Sequence, residues 1–226
     1  MKIIRIVAYW LFVVCVPVLL FTSTVRLGVN SMHTYEYGFD KYSVSDATNI
    51  DRAQLSEVAR RLVDYFNSKE ETPQIEGLEL FQERELVHLK DVKELFQFDY
   101  RIQMLSLAYI VAYVLLFLLW RKGHWQELAK GIKWGCVLTL VLIALLSIAS
   151  VFSFDQVFVR FHYLVFGDPS HSPWILDPSK DYLIRLFPPP FWQDIAMFGA
   201  MAIAAEALFL GGVAWGIPFI YQRRKC

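Results

Sequence analysis

Four long apolar blocks alternate with stretches of mixed polarity along the chain. Ile6 to Val25 is twenty residues without a charge, Ile102 to Trp120 is nineteen, and Trp134 to Phe154 is twenty-one. Ile195 to Gln222 is longer and carries one charge, Glu206. A helix rises ~1.5 Å per residue, so ~20 apolar residues cross the ~30 Å hydrocarbon core of a bilayer. The pattern therefore predicts transmembrane helices over 6–25, 102–120, 134–154 and 195–222. Met1-Lys2-Ile3-Ile4-Arg5 would suit the charged start of a signal peptide. The apolar run that follows is long for one, however, and Phe21 to Leu27 has no small-x-small cleavage site, so a retained anchor is expected.

The stretches between the blocks have patterns of their own. Asn30 to Asn49, rich in Tyr, Ser, Asp and Gly, reads as irregular or short-stranded. Asp51 to Asn67 places Leu55, Ala59, Leu62, Val63 and Phe66 on one helical stripe, and Glu70-Glu71-Thr72-Pro73 ends it. Phe81 to Phe98 repeats the spacing with Leu89, Val92, Leu95 and Phe96 and runs almost directly into the second span. In 154–194, Gly167, Pro169, Pro173, Pro178 and Pro188-Pro189-Pro190 prevent one continuous helix. The expected fold is all-α: four transmembrane helices with a mainly helical extracytoplasmic domain, 26–101, between the first two. The 121–133 loop, a second outer loop at 155–194 and a 223–226 tail complete the chain.

Composition adds limits. Hydrophobic residues make up 56% of the 226, above the ~45–50% of a soluble domain, and the four blocks hold the excess. Lys plus Arg and Asp plus Glu are 22 each, so no overall field favours nucleic acid. Cys15, Cys136 and Cys226 are too dispersed for a disulfide framework or a metal-ligand motif. The charges are nevertheless sorted. Before span one, between spans two and three, and after span four stand nine basic residues and one acid, Glu127. Residues 26–101 hold ten basic and fifteen acidic residues. The positive-inside rule then puts both termini and the 121–133 loop in the cytoplasm of a multi-pass plasma-membrane protein.

Candidate chemistry is sparse. There is no Gly-x-Ser-x-Gly, Ser-x-x-Lys, Walker or His-Glu-x-x-His sequence, and no cysteine suits an outer-face nucleophile. Of the five histidines, His33, His124 and His171 lie in polar, loop-like or basic surroundings. His88 has Asp91 three residues on, on the same helical face and able to orient an imidazole. His162 follows the outer end of span three in Phe161-His162-Tyr163. Glu85-x-x-His88 matches half of a di-iron carboxylate motif, without a second copy, and no metal is expected. Glu206, an acid inside a span, is either a packing residue or a functional one.

The string Glu83-Arg84-Glu85-Leu86-Val87-His88-Leu89-Lys90-Asp91-Val92-Lys93-Glu94-Leu95-Phe96 resembles a signature of the bacterial lipoprotein intramolecular transacylase family. Phe161-His162, Trp174-Ile175-Leu176-Asp177-Pro178, Asp181-Tyr182-Leu183-Ile184, Pro188 and Phe191-Trp192-Gln193-Asp194 resemble its second signature, and the four-span layout is similar too. The resemblance implies a transfer of the sn-2 acyl chain of a diacylglyceryl-cysteine lipoprotein to the cysteine α-amine, giving the lyso-form. Its implied catalytic residues are His88 and His162. Diacylated lipoproteins and membrane lipids are the implied partners, with no cofactor and no nucleic acid. Asp91 is a candidate orienter, and Arg185 a candidate electrostatic contributor by position alone. Such a reaction needs no Ser or Cys nucleophile, since amine and ester share one molecule. Two imidazoles can supply base and acid, in either assignment. They are expected to meet at the outer membrane boundary, facing a groove that admits an acyl chain.

Three other classes compete with this reading: a metal-dependent membrane hydrolase using Glu85, His88 and His162, a non-catalytic protein whose outer domain binds a partner, and a transporter built around Glu206. The orientation is open to a direct test. Cysteines placed in the 121–133 loop are expected to react with an impermeant maleimide only after cells are permeabilised. Reaction in intact cells would reverse the topology.

Overall fold

The computed structural model describes residues 2–70, 80–120, 125–170 and 173–223. Most of the Glu70–Pro73 break, His124, His171, Arg121, Lys122, Arg224 and Lys225 lie outside them. The described residues form eight helices and no strand: α1 (Lys2–Asn30), α2 (Met32–Lys41), α3 (Val44–Thr48), α4 (Arg52–Asn67), α5 (Glu83–Trp120), α6 (Trp125–Phe166), α7 (Tyr182–Leu186) and α8 (Pro189–Arg223). Helices α1, α5, α6 and α8 are each long and apolar enough to cross a membrane. All four outrun their apolar blocks. α5 is one helix of 38 residues, about 57 Å at ~1.5 Å per residue, so only its second half is needed to span. His88 lies fourteen residues before the apolar part of α5, and His162 eight residues beyond that of α6.

The chain divides into two compact units. The first, Met1–Val25, Asp99–Ile148 and Phe198–Cys226, holds the apolar helices. Glycines set its closest packing: a Cβ on Gly135 would stand 2.6 Å from Val16 Cβ, and one on Gly131 2.9 Å from the Phe12 ring. Phe12 stacks on Tyr113 at 4.6 Å, and Tyr109 Oη donates to Ala8 O at 2.9 Å, which ties α5 to α1. Such side-chain bonds satisfy polar atoms where lipid cannot. Glu206 is half-buried on α8, between the buried Ile203 and Ala207.

The second unit, Arg26–Phe98 and Ala149–Met197, is built on an apolar core that includes Leu55, Leu62, Phe66, Leu89, Leu186 and Phe191. Asp51 caps α4, its Oδ1 accepting from the Ala53 and Gln54 amides at 2.9 Å each. The stretch Asn30–Asn49 corrects the expectation of irregular or short-stranded chain, since it forms α2 and α3. Tyr35, Phe39 and Val44 bury their side chains there, and that packing outweighs the polar composition. Ser43 and Asn49 take left-handed φ values of 47° and 57°, which end α2 and α3 without glycine. Gly38 admits the Phe191 ring, which would lie 2.5 Å from an added Cβ.

One carboxylate joins two distant parts of this unit. Glu85 is fully buried, with Oε2 accepting from the Gln82 amide at 2.7 Å and Oε1 from the Leu183 amide at 2.6 Å. The first is the returning half of a capping box at the start of α5. The second caps α7, 98 residues further on. Beside it, Arg84 Nε donates to Asp181 Oδ1 at 2.9 Å, and Gln82 Nε2 to Lys180 O at 3.2 Å. Glu85→Ala would strip acceptors from two backbone amides. At ~1–3 kcal/mol for each such orphan, a loss of about 2–6 kcal/mol is expected. Thermal unfolding in detergent checks this, and an unchanged midpoint would contradict the role given to Glu85.

Candidate active site

Within the second unit the rings of His88 and His162 have their centroids 6.0 Å apart, at an interplanar angle of 35°. Their segments are separated by more than seventy residues, and each imidazole is held in its own way. His88 lies one turn beyond Glu85 on α5, so the carboxylate that fixes the start of the helix also fixes this ring's direction. His162 belongs to the last turns of α6. Ser153, with φ −156° and ψ 49°, breaks that helix, and residues 154–166 resume it in a new direction.

Along 154–166 the aromatic rings recur every fourth residue. Phe154 and Phe158 are 5.7 Å apart, Phe158 and His162 4.1 Å, and His162 and Phe166 5.5 Å. Spacing of four puts these rings on one face of the helix. Trp174 adds a ring 5.2 Å from His162, and Phe166 stands edge-on to His88 at 5.2 Å. Trp174 is returned to this point by Gly167, whose φ of +77° turns the chain and whose carbonyl accepts from Trp174 Nε1 at 3.1 Å. The two histidines are 7% and 8% exposed, so each ring has an apolar wall and little water.

This setting decides their charge. Burial, then the neighbouring His162, hold the His88 pKa down at about 4, and Asp91 pulls only weakly the other way. Burial also lowers that of His162, opposed by the Phe158 carbonyl. Both are neutral at pH 7. His162 Nδ1 lies 2.7 Å from Phe158 O, and a carbonyl only accepts, so the proton is on Nδ1 and a lone pair on Nε2. His88 Nδ1 is buried and has no hydrogen-bond partner among the described residues. That is an uncommon condition for a buried ring nitrogen.

The other sequence candidates sit differently. Asp91 acts on His88 through its charge, and no hydrogen bond joins it to Nδ1. Arg185 is engaged within its own short helix: Nε donates to Asp181 O at 3.1 Å, and the guanidinium lies 3.9 Å over the Tyr182 ring. His33 is on the surface near Glu36. Glu85 spends both oxygens on amides, and among the described residues no three His, Cys, Asp or Glu side chains gather as metal ligands. Phe158 stands outside the sequence candidates, yet packs on His162. Its signal was there: aromatic residues at 154, 158 and 166 flank His162 at intervals of four.

Comparison with known proteins bears on this arrangement. The membrane integral lipoprotein intramolecular transacylase Lit from Bacillus cereus shares the fold, with a TM-score of 0.83 at 18% identity over 100% of both chains. A variant of that protein with a histidine replaced by alanine gives 0.80 at 17% identity, covering 100% of this chain and 97% of the other. An uncharacterized protein of Aquifex aeolicus (strain VF5) is 29% identical over 126 residues, 55% of this chain and 52% of the relative, so the match spans about half of that protein's length. The family model described as lipoprotein intramolecular transacylase Lit matches residues 10–192, a stretch that includes both histidine segments. With most of its length so matched, the chain belongs to the lipoprotein intramolecular transacylase Lit family.

Proposed function

We propose that this membrane protein moves the sn-2 acyl chain of a diacylglyceryl-cysteine lipoprotein to the α-amine of the same cysteine. The observation that carries the reading is the pair of buried imidazoles 6.0 Å apart, one with Nδ1 against a carbonyl and so a lone pair on Nε2, and one with an unpartnered Nδ1. The substrate holds both reactants, so the protein's task is to bring amine and ester into attack geometry. An α-ammonium has a pKa of ~7.7–8.0 and must lose a proton before it attacks. Nε2 of His162, already an acceptor, is suited to take that proton. The new N–C bond gives a tetrahedral carbon, the C–O bond to glycerol breaks, and the glyceryl oxygen leaves with a proton passed through the pair. Counted from the ammonium, one proton goes through Nε2 of His162 to solvent, one passes to the glyceryl oxygen and one stays on the amide nitrogen.

Supporting roles follow from position. Asp91 favours positive charge as it develops on His88. Arg185 adds a fixed positive charge on α7, the helix bound to the start of α5. The sorting of basic residues supports an outward-facing second unit with both termini in the cytoplasm. The aromatic walls limit water, which would otherwise compete with the amine for the ester.

General acid or base catalysis is typically worth ~10²–10⁴-fold. His88→Asn and His162→Asn are each expected to reduce lyso-form product by that order while the protein still inserts in the membrane. The double variant should be little worse than either single one. Mass spectrometry of lipoprotein N-termini reads the product, and an amide-linked acyl chain at normal level in either variant would overturn the proposal.

The pH dependence has two parts. Turnover should rise with pH towards ~8, following the substrate amine, and any limb from His162 should lie below its ordinary 6.5, since burial lowers its pKa. Stability runs on a different window. His88 binds its proton near pH 4 when folded and at its ordinary 6.5 when unfolded, so between these values acid favours the unfolded chain. Its contribution is harmless above pH 6.5 and increasingly destabilising as pH falls towards 4. The unfolding midpoint of His88→Asn should therefore fall less steeply over that window than that of the unsubstituted protein.

A further inference from the structure

Glu206 takes no part in the proposed acyl transfer and has no partner in its own unit. Helix α8 packs inward through Ile203 and Ala207, which join Val16 and Leu20 of α1 and Cys136 of α6 in one apolar cluster. Glu206 stands at the margin of that packed side. Of the residues one turn away from it, Ile203 is buried, whereas Ala202, Phe209 and Leu210 are exposed. No hydrogen bond or ion pair joins its carboxyl group to any of the described residues. The nearest charges along α8 are Asp194, twelve residues before, and Arg223, seventeen after, ~18 Å and ~25 Å away at ~1.5 Å per residue. The side chain is too short to bring its carboxyl group to either end of the apolar run.

We propose that Glu206 is the central contact of a homodimer in the bilayer, its carboxyl group hydrogen-bonded to that of Glu206 in a second copy of this chain. In hydrocarbon a charge costs more than keeping a proton, so an acid held there is neutral. A neutral carboxyl group has one O–H to give and a C=O that receives, and lipid tails complete neither. A second carboxyl group is its complement, since two acids face to face exchange two O–H···O bonds. Two copies inserted with the same topology are related by a two-fold axis along the membrane normal. Such an axis brings each residue beside it to its own equivalent at the same depth. Symmetry therefore supplies the complementary acid without any other sequence. Ala202, one turn before, is small enough for the two backbones to approach, and Phe209, one turn after and 72% exposed, gains a covering neighbour. The inference rests on Glu206 and the membrane character of the chain, and not on the transacylase reading.

Energy transfer between full-length copies labelled at Cys226 reads the association, the buried Cys15 and Cys136 being left in place. It is followed in phosphatidylglycerol–phosphatidylcholine vesicles over a range of protein-to-lipid ratios. Glu206→Leu is expected to weaken association ~5–30-fold, the range for one polar pair between membrane helices. Glu206→Gln, whose amide also donates and accepts, should retain most of it. Disulfide trapping gives a second measurement that leaves Glu206 unchanged. With Cys226→Ser, a cysteine at Ala202 is expected to join two copies on oxidation. One at Leu208, 63% exposed but about 160° round the helix from Glu206, is not. Undiminished association of Glu206→Leu, or trapping at 208 equal to that at 202, would overturn the proposal. So would an unsubstituted chain that stays monomeric at every ratio, which would leave another protein or water as the partner of Glu206. A failed transacylase assay leaves these results untouched.

Discussion

A fully buried carboxylate holds the second unit in register. Glu85 has no solvent to stabilise its charge, and a charge so placed persists only when its oxygens are occupied. Here they accept from the Gln82 amide just before α5 and from the Leu183 amide in α7, 98 residues from Glu85. Burial still pushes its pKa up, the amides opposing. Because α5 starts where Glu85 caps it, the azimuth of every residue in the next turns is set there, His88 included. The Arg84–Asp181 pair repeats the link from the adjacent position. The ring geometry is thus a consequence of helix capping, an interaction usually counted only as local stability.

The two imidazoles are immobilised by different means, and that difference gives them different chemical faces. His162 gives its Nδ1 proton to a carbonyl of its own helix and is packed between Phe158 and Trp174. His88 keeps an unpartnered nitrogen in a buried place, with Phe166 edge-on. A buried polar atom without a partner costs stability, so the structure carries this feature at the expense of the fold. For the acyl transfer proposed above, such a nitrogen is already desolvated before the substrate arrives.

What the sequence disclosed, and what it withheld, follows the range of the forces involved. Spans of nineteen to twenty-one uncharged residues need no partner to be recognised, since the bilayer imposes the length. The stripe of Leu55, Leu62 and Phe66 likewise reports a helix with one buried side. The composition of Asn30–Asn49 speaks only of local preference, whereas Phe39 and Val44 are buried and helical for reasons of packing. His88 and His162 were visible as candidates through motif resemblance, and their proximity needed the fold. Glu85 was misleading: Glu-x-x-His looks like half a metal site, yet the carboxylate is a cap. No pattern within Glu83–Phe96 shows that its acceptor capacity is taken by Leu183.

The break at Ser153 has a mechanical side. α5 is a single 38-residue helix whose hydrogen-bonded ladder runs without interruption from His88 through its apolar half. The backbone that carries His88 is thus continuous with its apolar half, and the backbone that carries His162 is interrupted at one residue, where the hydrogen-bonded ladder lapses.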